Sequence, residues 1–173
     1  MKKHTRSVLQ QLFAITAVFI SRLHLLPANV SSLGSFGFFG NPWLYFASIL
    51  LFDRFVGGFY GGVWFTYLGF AMYPLMGWLA KRNKSATWLL LPSASFLFFI
   101  ISNFGSWYYW YPRTIDGLIL CYSLAIPFYA RTLTGDLVFG YGYMLAKSSL
   151  PRTVKNTILL MISYRYKVQL KNT

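Results

Sequence analysis

The chain has 173 residues, 56% of them hydrophobic and 21% aromatic, with 16 Lys and Arg against 3 acidic residues, all Asp, for a formal net charge of +13. A soluble domain of this make-up would lack the polar surface to cover itself, which excludes an ordinary water-soluble enzyme and implies an integral membrane protein with the lipid bilayer as its first partner. No basic stripe interleaved with polar surface stands outside the apolar stretches, so the positive charge indicates membrane orientation and anionic headgroups rather than nucleic acid.

The first apolar run, about 8 to 26, follows Lys2, Lys3 and Arg6 and continues through Arg22 and His24 without a small-residue cleavage site. It is expected to be a retained helix rather than a signal peptide. Further apolar runs cover 30 to 57, 59 to 80, 86 to 103, 115 to 130 and 133 to 149. Crossing once each from a cytoplasmic N-terminus, they would put Lys81, Arg82 and Lys84 outside, against the positive-inside tendency. The conflict is removed if 30 to 57 is two short helices broken at Gly40, Asn41 and Pro42, because glycine favours a helix stop and proline a start.

The basic tail requires an even number of crossings after residue 86. The segment 115 to 130 is short, contains Pro127 and is flanked by SWYYWYP and Arg131. It is therefore expected to be an interfacial or re-entrant helix on the outer face. The resulting fold is all-α: a polytopic bundle of about six transmembrane helices (8–26, 30–40, 42–57, 59–80, 86–103 and 133–149) plus that outer helix. Residues 1–150 form one membrane domain and 151–173 a basic amphipathic cytoplasmic tail. Both termini are cytoplasmic, and Asp53, Asp116 and Asp136 all lie toward the outside.

Glycine and serine crowd SSLGSFGFFG and GGFYGGVWF, read as small helix faces for packing within the bundle or for docking a partner. Asp53 and Arg54 are adjacent and point about 100° apart on a helix, so at least one needs a partner elsewhere. Asp136 in TLTGDL is expected at the start of the last span, either capping it or touching a ligand. Asp116 in RTIDGL reads as a cap. Trp107, Tyr108, Tyr109, Trp110 and Tyr111 form an interfacial belt or a lid over a flat ligand, and Asn103 is a candidate pocket donor. No catalytic motif, metal spacing or cofactor motif occurs, and the absence of Glu leaves acid–base catalysis little to work with, so no enzymatic activity and no cofactor are expected. The single Cys121 reads as a buried apolar residue.

Four linked motifs, FFIISNFGSW (98–107), YPRTIDGL (111–118), CYSLAIPF (121–128) and TLTGDL (132–137), resemble those of a family of small, functionally uncharacterised bacterial membrane proteins. RLHLLPANVSSLGSFGFFG and LFDRFVGGFY agree more loosely with its first half. At fold level that family is similar to the substrate-binding S components of energy-coupling-factor (ECF) vitamin transporters, and AIPFYARTLTGDL resembles the P-F-x-P-G-D-L stretch of the biotin-binding members. Phe139 stands where those members carry a lysine. The resemblance implies an inner-membrane protein that captures a small vitamin-like molecule and needs a separate energising ATPase and scaffold module. Arg22, Asn29, Asp53, Asn103, Arg131 and Asp136 would line or support the pocket, with Trp107 and Trp110 covering it. The competing expectation is a membrane scaffold or interaction protein with no ligand, in which the polar residues lock helices together.

Overall fold

The computed structural model describes residues 30–149, and among these every regular element is helical. The run 8–26, with Arg22 and Asn29, and the tail from residue 150 on lie outside the described residues. The chain divides into two compact units, one ending at Tyr141 and one beginning at Gly142. Within the second, Lys147 Nζ lies 5.8 Å from the Tyr143 ring centroid.

The break inside 30–57 falls where glycine and proline place it. Helix α1 (Leu33–Phe39) stops at Gly40, and α2 (Pro42–Phe52) starts with Pro42 in its first turn, capped by the Asn41 side chain, which accepts from Trp43 N at 2.9 Å. At about 1.5 Å per residue α1 is about 10 Å long and α2 about 16 Å, so neither crosses a hydrocarbon layer of roughly 30 Å alone. Residues Leu33 to Phe38 of α1 are all buried. The small-residue face of SSLGSFGFFG is therefore consumed inside the protein and is not free for a partner.

A π-helical turn, Asp53–Gly57, follows α2. The next helix, α3 (Val63–Arg82), begins later than the sequence suggests. Gly58 (φ 71°) and Gly62 (φ 85°) occupy left-handed conformations that end helical continuity, so GGFYGG is a connecting segment rather than a helix face. A side chain at Gly62 would come within 2.9 Å of the Tyr109 ring, which packs on this turn.

A 3-10 turn, Lys84–Ala86, leads from α3 into α4 (Thr87–Trp110). The two helices pack through Gly69 against Phe98, Gly105 against Phe65, and stacked Phe70 and Phe98 rings 4.9 Å apart. Helix α1 approaches α3 so closely at Gly77 that any Cβ there would fall on the Phe38 carbonyl. That is the backbone contact small residues permit where burial of apolar surface gives no driving force between helices.

The largest correction concerns 115 to 149. The expected outer helix and the last span are one continuous helix, α5 (Ile115–Ser149), 35 residues long. Pro127 removes one backbone donor without stopping the helix, as is common where neighbouring protein supports the chain. Thr132 and Thr134 do not cap a new helix. Their hydroxyls donate to the carbonyls of Phe128 and Ala130 one turn earlier, at 3.1 and 2.8 Å, the back-bonding that mid-helix Thr adopts.

Pro92 exposes another backbone group. Its ring leaves the Trp88 carbonyl, one turn earlier, without an intrahelical donor. The Tyr141 hydroxyl on α5 donates to that carbonyl at 2.5 Å, and its ring lies 4.5 Å from the Trp88 ring.

Among the described residues two helices are long and apolar enough to cross a membrane, Lys84–Trp110 and Ile115–Ser148. Their outward sides carry exposed Leu89, Phe96, Ile100 and Phe104, and Ile119, Leu120, Ile126 and Val138. The bundle's two ends differ: Arg82 lies 3.8 Å from the Trp78 ring beside Lys81 and Lys84, whereas Arg113 lies 4.1 Å from the Tyr108 ring in the aromatic turn.

Candidate functional site

One carboxylate sits in the middle of this helical unit. Asp136 is 1% exposed, and elements from three other helices meet it. Tyr73 of α3 donates to its Oδ2 at 2.6 Å, and Ser95 of α4 donates to the same oxygen. Ser35 of α1 donates to the Asp136 backbone carbonyl at 3.1 Å. Gly34 of α1 lies against Oδ1, and the Val30–Ser31 backbone packs on Gly135. Two glycines thus let α1 reach the polar centre, which explains a small-residue helix opposite a Gly-Asp pair.

Asp136 was expected at a helix start on the same side as Asp53 and Asp116. Because α5 runs through, it is mid-helix instead. Its partner Ser95 is eight residues, about 12 Å, from the start of α4 at Thr87 and fifteen residues, about 22 Å, from its end at Trp110. The carboxylate therefore lies nearer the Lys81–Lys84 end than the aromatic end, and it is no cap. Among the described residues its side-chain partners are two hydroxyls, with no basic group among them. A buried carboxylate held only by neutral donors is expensive in an apolar interior.

A cavity of about 360 Å³ lies between α4 and α5, lined by Phe98, Phe99, Ser102, Asn103, Ala125, Phe128, Tyr129 and Thr132. Along both helices it begins one turn from the Ser95–Asp136 pair: Phe99 is one turn beyond Ser95, and Thr132 is one turn before Asp136. The Phe99 and Tyr129 rings meet at 4.7 Å. Asn103 donates one amide proton to the Phe99 carbonyl at 2.8 Å, which leaves its side-chain oxygen and its second N–H for other partners.

The other expected site residues that the structure describes are dispersed. Asp53 accepts from the Tyr67 hydroxyl at 2.9 Å, in contacts separate from those of Asp136. The Trp107 indole donates to the Pro112 carbonyl at 3.0 Å and closes the α4–α5 turn. Trp110 is 65% exposed, and neither Trp lines the cavity. Arg131 is exposed, 140° around α5 from Asp136. Asp116 is exposed in the first turn of α5, where Thr114 caps by accepting from Gly117 N at 3.1 Å. Cys121 is buried, with its Sγ 3.5 Å from the Asn103 carbonyl. Among the described residues no group of His, Cys or acidic side chains is placed to hold a metal.

Tyr73, Ser95, Tyr129 and Thr132 were not singled out from sequence. The signal present was a lone hydroxyl embedded in an apolar helix, as in LPSASFLFF and AMYPLM, where an unpaired polar group would be costly.

A family model matches residues 2–155, that of a family of unknown function (DUF6580). No curated protein and no solved structure matches the chain.

Proposed function

The chain belongs to the DUF6580 family, and we propose that it is a membrane-embedded binding protein for a small molecule, held between α4 and α5. The observation that carries this reading is the cavity. Its volume of about 360 Å³ lies within the range of small-molecule sites, and its lining is four aromatic rings with a few polar groups, as such sites usually are. The apolar outward faces of the helices support placement in a lipid bilayer, here the bacterial inner membrane with cytoplasmic termini.

In this reading the protein acts as S components do, capturing a vitamin-like molecule and relying on a separate ATPase and scaffold module for uptake. The ordered motifs between residues 98 and 137 support it, although several of their residues build the fold: Gly105 admits Phe65, while Trp107, Pro112, Thr114 and Gly117 shape the turn. The test is thermal unfolding of the purified protein against a panel of vitamins and aromatic metabolites. Saturable stabilisation that Phe128→Ala and Tyr129→Ala weaken is expected. No stabilisation by any compound, with both variants like wild type, would refute binding.

The competing scaffold reading draws on the closure of Asp136 by Tyr73 and Ser95, which locks three helices without any ligand. Stabilising ligands decide against it.

A further inference from the structure

The cavity is chemically one-sided. The hydroxyl protons of Ser102 and Thr132 go to the carbonyls of Phe98 and Phe128 at 2.7 and 3.1 Å, and one amide proton of Asn103 goes to Phe99. What these groups still present is mostly lone pairs: two hydroxyl oxygens and the Asn103 oxygen. The donors left are the second Asn103 N–H and the Tyr129 hydroxyl. Among the described residues no Lys, Arg or His lines the cavity. Arg131, next to Thr132 in sequence, projects about 120° away from Ala125, which marks the lining face of α5.

The remaining walls are the π faces of Phe98, Phe99, Phe128 and Tyr129, whose negative quadrupoles attract cations. One helical turn past Thr132, about 6 Å along α5, lies the Asp136 carboxylate. Among the described residues it carries no cationic partner; its Oδ2 accepts from Tyr73 and Ser95 and its Oδ1 lies against Gly34, so it acts on the cavity through its charge and not by contact. Acceptors and aromatic faces thus line the cavity, and a negative charge with no cationic partner among the described residues lies about one helical turn beyond it.

We infer that the occupant of this cavity is a small aromatic ammonium compound, its ring among the phenyl groups and its N–H donors toward Thr132, Asn103 and the Asp136 end. The inference rests on the binding reading above and sets the ligand's charge. A carboxylate ligand would bring a second negative charge toward Asp136 with no cation to meet it. A neutral ligand would leave the carboxylate as uncompensated as before.

Three probes with the same indole and side chains of similar length test it: tryptamine, tryptophol and indole-3-propionate. Binding to the full chain in nanodiscs of neutral phosphatidylcholine is measured by equilibrium dialysis, with empty nanodiscs correcting for partition. Tryptamine is expected to bind at least about tenfold more tightly than tryptophol, and indole-3-propionate to show no saturable binding. Asp136→Asn should bring tryptamine and tryptophol to within about twofold of each other.

Equal or tighter binding of tryptophol or indole-3-propionate by the wild type overturns the inference and leaves the binding reading standing. That comparison needs no variant, so it decides even if Asp136→Asn does not fold. A tenfold preference that survives in a folded Asp136→Asn protein removes the carboxylate from the account and overturns it as well. Absence of saturable binding by all three probes removes the cavity as a site, and the inference with it.

Discussion

Gly34→Ala tests whether α1 is seated on the carboxylate. In an exposed helix the change would stabilise by about 1 kcal/mol, because alanine is the better helix former. Here the added methyl would overlap Asp136 Oδ1 and the Tyr73 ring and lie 2.6 Å from Asp136 Cγ. Neither neighbour can step aside: Tyr73 and Asp136 are each 1% exposed and are bonded to one another. Overpacking of this kind costs about 1–3 kcal/mol, and displacing the carboxylate weakens bonds to a charged acceptor that are each worth about 1.5–3 kcal/mol. After the propensity gain, a net loss of about 2–4 kcal/mol is expected, read from reversible unfolding of the purified protein in detergent micelles. In an Asp136→Ala background the same substitution should cost at least about 1 kcal/mol less, since part of the obstacle is gone. Neutrality or stabilisation in the wild-type background, or an unchanged cost in the Asp136→Ala background, would refute the seating of α1 on Asp136.

Other outcomes follow from single contacts. Tyr73→Phe and Ser95→Ala should each lower stability by about 1.5–3 kcal/mol in the same assay, and together by more than the sum, because the second loss leaves the carboxylate without a side-chain donor among the described residues. Tyr141→Phe should cost about 1–2 kcal/mol by leaving the Trp88 carbonyl unsatisfied beside Pro92, whereas combining it with Pro92→Ala, which restores an intrahelical donor, should recover most of that loss. Trp107→Phe should change global stability by less than about 1 kcal/mol yet speed amide exchange at Tyr111, Arg113 and Thr114, since its indole bond fixes only the turn.

Legibility from sequence followed the strength of local signals. Gly40, Asn41 and Pro42 are stop, cap and start residues in succession, and the α1–α2 break falls there. Thr114 and Asp116 mark a helix start with equal clarity. The same reasoning failed at 130 to 135, where Pro127 and Thr-Leu-Thr-Gly imitate a boundary. Proline and threonine interrupt a helix only when the freed groups have better partners outside it, and back-bonded hydroxyls keep α5 continuous.

Asp136 was recognisable as an expensive residue, but its surroundings were not. Its partners Tyr73 and Ser95 stand 63 and 41 residues away, and nothing local marks one hydroxyl in an apolar helix as the one that will face a carboxylate. Asn103 was named as a pocket residue, yet which of its groups remain for other partners depends on a hydrogen bond within its own helix. Trp107 and Trp110, placed as a lid on composition, belong to the turn and the surface.

The bond from Tyr141 to the Trp88 carbonyl bears on how this part of the chain is assembled. Pro92 leaves α4, taken by itself, with a bare carbonyl that hydrocarbon cannot solvate, and only the far end of the next helix brings the group that satisfies it. The smallest piece of this region that satisfies its own backbone is therefore a helical hairpin, and α4 reaches its finished state only once α5 has been synthesised as far as Tyr141.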